Sequence, residues 1–289
     1  MTLLSEQSHI KAVSNLYDQT WSGARFSWLN ENNLAQHLGY WDENTHSHAE
    51  SLINMNRVMA SRINLHGGEY VFDAGCGFGG TSLWLAREYG AHVVGCTIST
   101  DQVERARHYA HKRNLQDLVK FEKKDYLHSG FPDASFHVIW AQESICHTPN
   151  QQAFLSEAYR LLKPGGRLVM EDCYLFNRSY SQSEMQCLQS WFDDMLIPSL
   201  PTENQFINWV EKTGFEDIKL EDISHYVKPS YRRVGRTLAI MKPLFFISRS
   251  LGLQSDILSK FGRGMEIQQQ TFEQGLWFIG IFSARKPLN

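Results

Sequence analysis

The chain has 289 residues, of which 42% are hydrophobic and 12% aromatic, enough to bury one substantial core with additions around it. Its formal net charge of -3 argues against nucleic acid or an anionic lipid surface as a general partner. The five cysteines are an odd number without a Cys-x-x-Cys pair, so we expect free thiols and no zinc site.

The first residues of the chain predict a protein that is not secreted. Residues 1–13 mix Ser, Glu, Gln, His and Lys, where a secretory signal would have an apolar core. No uninterrupted apolar run reaches the length of about 18 residues that a membrane span needs. Together with the free thiols, these features indicate a reducing, cytoplasmic location.

Residues 1–68 contain no clear strand pattern and are rich in aromatic side chains. We predict that they form a separate amino-terminal lid. Its aromatic residues include Tyr17, Trp21, Tyr40 and Trp41. Aromatic faces stabilise cations, although ordinary core packing is the stronger alternative for any single ring here.

From residue 69 onward, short β-branched or aromatic runs alternate with segments of helical period. This alternation is typical of a mostly parallel sheet covered on both faces. The predicted strands are 70–74, 92–97, 120–124, 138–142, 167–171, 217–223 and 276–284. The predicted helices are 81–89, 100–113, 151–162 and 203–212. We therefore predict an α/β core over 69–289 with seven strands and with cap insertions near 173–201 and 226–274.

A glycine-rich turn follows the first predicted strand. Asp73 stands ahead of Gly75, Gly77 and Gly79, and a helix follows directly. Glycine permits backbone geometry and close approach that a β-carbon would block. A glycine triplet alone is weak evidence, because tight turns also produce it. An acid beside the turn favours a cationic ligand over the pyrophosphate of a dinucleotide.

The Asp-x-Gly-x-Gly-x-Gly pattern resembles the first motif of class I S-adenosylmethionine (SAM)-dependent methyltransferases. The resemblance implies a Rossmann-like fold, SAM as cofactor, and a methionine portion held by Asp73 and the glycine backbone. The second strand ends in Gly-x-Thr-x-Ser-x-x-Gln, with no acid for the ribose. This resembles the subgroup of cyclopropane fatty acid synthases, tocopherol methyltransferases and sterol C-methyltransferases, which implies that Thr97 and Gln102 contact the cofactor. A helix cap at Ser99 or Thr100 is compatible with that role.

Two further segments complete the implied cofactor site. Asp125 and Tyr126 follow the third strand, where the resemblance implies that the acid accepts from the adenine amine and the ring packs beside the base. An isolated Asp-Tyr pair means little, and the two earlier motifs in register favour the functional interpretation. Gln142, at the end of the fourth strand, is a further expected cofactor contact.

Glu143-Ser-Ile-Cys-His147 follows the fourth strand at the carboxyl edge of the sheet. It resembles a stretch of sterol C-methyltransferases and, more loosely, of tocopherol methyltransferases. In terpene diphosphate methyltransferases of this group the matching glutamate is a base. An alkene that takes a methyl group becomes a cation, which needs a nearby negative charge and then a proton acceptor. We therefore predict that Glu143 is catalytic, and that His147 either relays the proton or hydrogen-bonds the loop.

The amino-terminal aromatic block resembles the lid of the same families. That resemblance implies that Tyr17, Trp21, Tyr40 and Trp41 shape the acceptor pocket. In the second cap insertion, the apolar stretch around Phe245 is compatible with a pocket wall, with contact to a membrane surface, or with a buried cap helix.

The sequence therefore predicts a SAM-dependent methyltransferase with a small, apolar acceptor and no metal requirement. The resemblance favours C-methylation of an alkene in an isoprenoid, sterol-like or prenylated natural product, through a cation that could rearrange or cyclise. The first alternative is O- or N-methylation of another metabolite with His147 as base. SAM binding without turnover is a second alternative, and a homo-oligomer is compatible with the sequence.

Overall fold

The computed structural model describes residues 6–27, 33–250 and 255–289, with only the backbone given for 20–27 and 241–250. The described sheet is ordered β3-β2-β1-β4-β5-β7-β6. β1 to β5 are parallel to one another, and β7 is antiparallel to both of its neighbours, β5 and β6. The strands are β1 (Tyr70–Ala74), β2 (His92–Thr97), β3 (Val119–Lys123), β4 (Phe136–Gln142), β5 (Leu162–Leu175), β6 (Glu216–Asp222) and β7 (Trp277–Arg285). The predicted seven-stranded, mostly parallel α/β fold is confirmed.

Helices flank this sheet and form the additions around it. They are α1 (Glu6–Ser27), α2 (His48–Arg62), α3 (Gly80–Tyr89), α4 (Thr100–Lys112), α5 (Gln151–Leu161), α6 (Gln182–Met195), α7 (Glu203–Thr213), α8 (Ser224–Ser250) and α9 (Asp256–Glu273). Local sequence explains their starts. In α2, for example, Ser47 accepts from the amide of Glu50 while the Glu50 side chain accepts from the amide of Ser47. None of the described helices has the length and apolar character needed to cross a bilayer.

β5 is longer than the predicted strand 167–171. It begins directly after α5, where Leu162 pairs with Phe136, and the register then shifts before Arg167 pairs with Val138. At the other end it continues to Leu175, opposite Trp277 of β7. Pairing with a distant strand therefore extends β5 beyond the limits that its local pattern predicts.

Two hydrophobic layers cover the faces of the sheet. One contains Val71, Val138 and Val169 under α2, α6 and α8, and the other contains Phe72 and Ile139 under α5 and α7. Strand side chains alternate between these layers. The carboxyl ends of the parallel strands meet at one edge of the sheet, which is where open α/β sheets bind ligands.

Candidate active site

A cavity lies at the carboxyl ends of β1, β2 and β4, beneath α1 and the segment that precedes α2. Both the sheet edge and the amino-terminal segment form its wall. The lining residues that matter below are Tyr17, Gln36, His37, Asp73, Gly75, Gly77, Thr97, Gln102, Tyr126, Gln142, Glu143 and His147. The structure thus brings most of the predicted site residues together, although they come from distant parts of the sequence.

The glycine turn forms the floor of the cavity. Gly75 and Gly77 have φ of +86° and +52°, which side chains with a β-carbon rarely adopt. A β-carbon at Gly75 would also overlap the Ser144 side chain, and one at Gly77 would lie 2.5 Å from the Gln36 amide oxygen. Glycine is therefore required at both positions by the backbone conformation and by the close approach of Ser144 and Gln36.

Asp73 lies beside this turn and is only 3% exposed. Its Oδ2 accepts a hydrogen bond of 2.6 Å from the Ser82 hydroxyl. Burial raises the pKa of Asp73 to about 6, and the bond from Ser82 opposes the rise. A buried carboxylate with one neutral donor suits a cationic ligand group, which would supply the missing opposite charge.

Thr97 and Gln102 are in contact at the end of β2. The threonine hydroxyl donates to the Gln102 side-chain oxygen, and both side chains are buried. Ser99 caps α4 by accepting from the amide of Gln102 at 3.0 Å. The cap that was the alternative interpretation is therefore present, and it fixes the backbone that carries Gln102 at the cavity wall.

Of the other residues predicted to contact the cofactor, Tyr126 and Gln142 line the cavity and Asp125 does not. Tyr126 lies on the wall and donates to the carbonyl of Ser144 at 3.1 Å. Asp125 is not among the lining residues, and one of its carboxylate oxygens accepts from the amide of Leu127 at 2.9 Å. Gln142 lines the cavity, and its side-chain oxygen accepts from the Thr81 hydroxyl at 3.1 Å.

Glu143 has an unusual backbone conformation and a half-buried carboxyl group at the cavity wall. Its φ is +45°, and its amide donates to the carbonyl of Glu171 at 2.8 Å. The backbone amide of Leu38 donates to Oε1. Burial raises the pKa of Glu143 to about 8, the bond from Leu38 opposes the rise, and the charge of Asp172 adds to it. Backbone strain at this position is of the kind that persists at functional sites.

His147 is held at both ring nitrogens. Nδ1 lies 3.4 Å from the carbonyl of Leu196, which can only accept, so Nε2 accepts from the Tyr17 hydroxyl at 2.7 Å. The two rings also meet edge to face. Burial lowers the pKa of His147 to about 4, so the imidazole is neutral at pH 7. His147 thus ties α1 to the loop that carries Glu143.

Sequence reasoning missed the acids that support this loop. Asp172 accepts from the amides of Ile145 and Cys146 at 2.9 and 3.0 Å, and so fixes the turn between Glu143 and His147. Glu171 is fully buried, and neither carboxyl oxygen has a hydrogen-bond partner in the described part of the chain. The sequence signal that could have revealed them is the pair of adjacent acids, Glu171 and Asp172, within an apolar strand.

Several residues predicted for the acceptor pocket are not on the cavity wall. Tyr40 stacks on Tyr226 with ring centroids 4.3 Å apart, and the Trp41 indole donates to the Ser230 hydroxyl at 2.9 Å. Both therefore anchor the amino-terminal segment to α8. The predictions for Trp21 and Phe245 fall on side chains outside the described residues.

Thiols and carboxylates are the other candidate metal ligands that the structure describes. All five cysteines are free, and Cys187 is the exposed one. Within the described ranges, no three or more His, Cys, Asp and Glu side chains are grouped to hold a metal ion.

If Glu143 is the base that the sequence predicts, the predicted methyl transfer should depend on pH through this group. A base must be ionised, and the carboxylate form is populated only above the pKa, so kcat/KM should fall as pH decreases below about 8. Asp73 should add a loss of SAM affinity below about pH 6, for the same reason. Rates measured from pH 5.5 to 9.5, with SAM affinity at each pH, separate the two effects. A flat profile between pH 6.5 and 9 would contradict the role of Glu143.

A buried acid beside a glycine turn, at the carboxyl edge of a Rossmann-like sheet, is compatible with a nucleoside-type cofactor that carries a cationic group. The Methyltransferase domain family matches residues 72–170. The chain is 32% identical to 27-O-demethylrifamycin SV methyltransferase of Amycolatopsis mediterranei, over 78% of each chain. It is also 32% identical to the chloroplastic tocopherol O-methyltransferase of Arabidopsis thaliana, over 75% of this chain and 63% of that protein. The chain therefore belongs to the class I SAM-dependent methyltransferases, enzymes whose cofactor is SAM.

A further relative supports this assignment, and two solved structures share the fold. The sterol 24-C-methyltransferase of Eremothecium gossypii is 30% identical over 75% of this chain and 56% of that protein. The cyclopropane synthase MmaA2 of Mycobacterium tuberculosis has the same fold, with a TM-score of 0.82, 17% identity, and coverage of 96% of this chain and 98% of that one. Geranyl diphosphate C-methyltransferase of Streptomyces coelicolor A3(2) also shares the fold, with a TM-score of 0.72, 15% identity, and coverage of 96% and 97%.

Proposed function

We propose that this enzyme methylates an alkene carbon of an apolar isoprenoid, sterol-like or prenylated acceptor, and that the acceptor passes through a cation. The observation that carries the proposal is the Glu143 carboxyl group. It is half-buried at the cavity wall, and its one hydrogen bond from the described residues comes from the neutral amide of Leu38. A carboxylate at a cavity wall without a positive partner is suited to stabilise a positive charge that arises during the reaction.

The chemistry follows from that position. SAM supplies an electrophilic methyl group, and the acceptor's π electrons form the new carbon–carbon bond while the methyl–sulfur bond breaks. The adjacent acceptor carbon then carries the positive charge, which the Glu143 carboxylate stabilises. Glu143 takes a proton from a neighbouring carbon, and the electrons of that C–H bond form a new double bond.

The cofactor contacts are part of the same proposal. Asp73 and the glycine backbone hold the methionine portion, and Thr97 and Gln102 hold the ribose. Tyr126 packs beside the adenine. The position of these residues on one cavity wall supports this arrangement. We keep Asp125 as the acceptor for the adenine amine, although it does not line the cavity and one of its oxygens bonds the amide of Leu127.

O-methylation is the second candidate, and a specific contact favours it. The neutral His147 imidazole accepts a hydrogen bond from the Tyr17 hydroxyl, as it could from the hydroxyl of an acceptor. The names of the rifamycin and tocopherol relatives also specify O-methylation. In that case His147 is the base and Glu143 only supports the site.

Incubation with SAM labelled in the methyl group tests the proposal. The acceptor panel comprises prenyl diphosphates, sterols, prenylated indoles and prenylated phenols. We expect a product with a new carbon–methyl bond, which NMR distinguishes from a methyl ether or a methylamine by chemical shift. Products methylated only on oxygen or nitrogen would overturn the proposal in favour of the second candidate.

We expect Tyr17→Phe to reduce methyl transfer moderately, by about 2- to 12-fold, because it removes one neutral hydrogen bond to His147 and leaves the ring contact. SAM affinity should stay within about twofold. Single-turnover rates and calorimetry measure the two quantities. A loss above about a hundredfold would instead assign Tyr17 a direct part in the chemistry.

A further inference from the structure

His37 is a buried histidine on the wall of the SAM cavity, three residues ahead of Tyr40 in the amino-terminal aromatic block, and the sequence analysis assigned it no role. Its side chain is 4% exposed, and the residue lines the cavity together with Gln36 and Asp73. It belongs to the stretch between α1 and α2 that covers the glycine turn. The role of this buried imidazole follows from its hydrogen bonds.

The hydrogen bonds of His37 define its protonation state. Nδ1 lies 2.9 Å from the carbonyl oxygen of Leu38, and because a carbonyl only accepts, Nδ1 carries the proton. Burial lowers the pKa of His37 to about 4, so the ring is neutral at pH 7. Nε2 therefore presents a lone pair. It is buried and has no hydrogen-bond partner among the residues that the structure describes.

Gln142 provides the complementary observation on the same cavity wall. Its side-chain oxygen is bonded to Thr81, whereas its side-chain nitrogen is buried and has no acceptor in the described part of the chain. One cavity thus contains an unpartnered acceptor on His37 and an unpartnered donor on Gln142. A buried polar atom without a hydrogen bond lowers the stability of the folded protein, unless a bound ligand supplies the missing partner.

The amino acid tail of SAM has one group for each of these atoms. Its ammonium donates hydrogen bonds, and its carboxylate accepts them. We propose that Nε2 of His37 accepts a hydrogen bond from the ammonium of the SAM tail, while the side-chain nitrogen of Gln142 faces the carboxylate. This assignment concerns the cofactor and does not depend on the nature of the acceptor. It makes His37 a cofactor-binding residue supplied by the lid.

The assignment has a consequence for Glu143. The residue after His37 is Leu38, whose amide donates to the Glu143 carboxylate. A SAM tail bound to His37 would therefore hold the backbone that also holds Glu143. Cofactor binding and positioning of the proposed base are linked through two consecutive residues.

The test compares two ligands of the intact protein by calorimetry. SAM carries the tail, and 5′-methylthioadenosine shares the nucleoside and lacks the tail. We expect His37→Ala to weaken SAM at least about tenfold, because a buried ammonium loses its acceptor, and to leave 5′-methylthioadenosine within about twofold. His37→Gln, whose side-chain oxygen can accept, should recover part of the SAM affinity. His46→Ala is the matched control, since His46 is exposed and outside the cavity.

Two results would overturn the proposal. One is unchanged SAM affinity in His37→Ala. The other is an equal loss for both ligands, which would mean that the substitution disturbs the lid and removes no contact to the tail. Thermal unfolding of each variant shows whether the fold is intact. The deciding quantity is the loss of SAM affinity relative to the loss of 5′-methylthioadenosine affinity.

Discussion

Glu143→Gln is expected to lower the rate of methyl transfer by about 10²–10⁴-fold, which is about 3–5 kcal/mol of transition-state stabilisation. Glutamine preserves the size of the side chain and can still accept from the amide of Leu38. It removes the negative charge and the basicity. The substitution thus separates electrostatics from packing, and SAM affinity should change little.

Single-turnover rates with a confirmed acceptor, together with SAM dissociation constants, measure this effect. His147→Ala is the comparison variant. It should cost less than Glu143→Gln if the histidine only holds the loop, and a similar amount if it receives the proton. Transfer at the wild-type rate in Glu143→Gln would show that the cation mechanism is wrong for this enzyme, and O- or N-methylation would then be the better explanation.

Asp73→Ala is expected to weaken SAM binding by about 10- to 100-fold. A buried hydrogen bond to a charged group is worth about 1.5–3 kcal/mol, and the substitution also removes the negative charge next to a cationic ligand. Calorimetry with SAM measures the loss. Ser82→Ala is the matched control, since it removes the hydroxyl that bonds Asp73 and keeps the carboxylate. Unchanged SAM affinity in Asp73→Ala would contradict the assignment of the cofactor site.

The core of the fold could be predicted because its signals are local. β1 and β2 begin and end at the predicted residues, since each is a short apolar run bounded by glycine or polar residues. The glycine turn and the acid beside it are contiguous in sequence. Parallel strands then bring their carboxyl ends together, so the end of β1 and the end of β4 had to meet.

The lid contacts could not be predicted, because they depend on residues far apart in the sequence. No role was predicted for His37 or Leu38, and the amide of Leu38 contacts the side chain of Glu143, about one hundred residues away. Tyr40 and Trp41 were predicted for the acceptor pocket because the aromatic block resembles the lid of related families. Their stacking and hydrogen bonds with α8 are equally typical of aromatic side chains, and only the tertiary structure distinguishes the two uses.

The position of β7 has a consequence for the biosynthesis of the protein. β7 is the last strand in the chain, yet it lies between β5 and β6 in the sheet. During translation, β6 therefore has no neighbour in the described sheet until residues 277–285 leave the ribosome. The segment that becomes α8 and α9 lies between β6 and β7 in sequence, so insertion of β7 closes a loop of more than fifty residues. We infer that β1 to β5 can assemble first, and that β6 joins the sheet only after β7 has been synthesised.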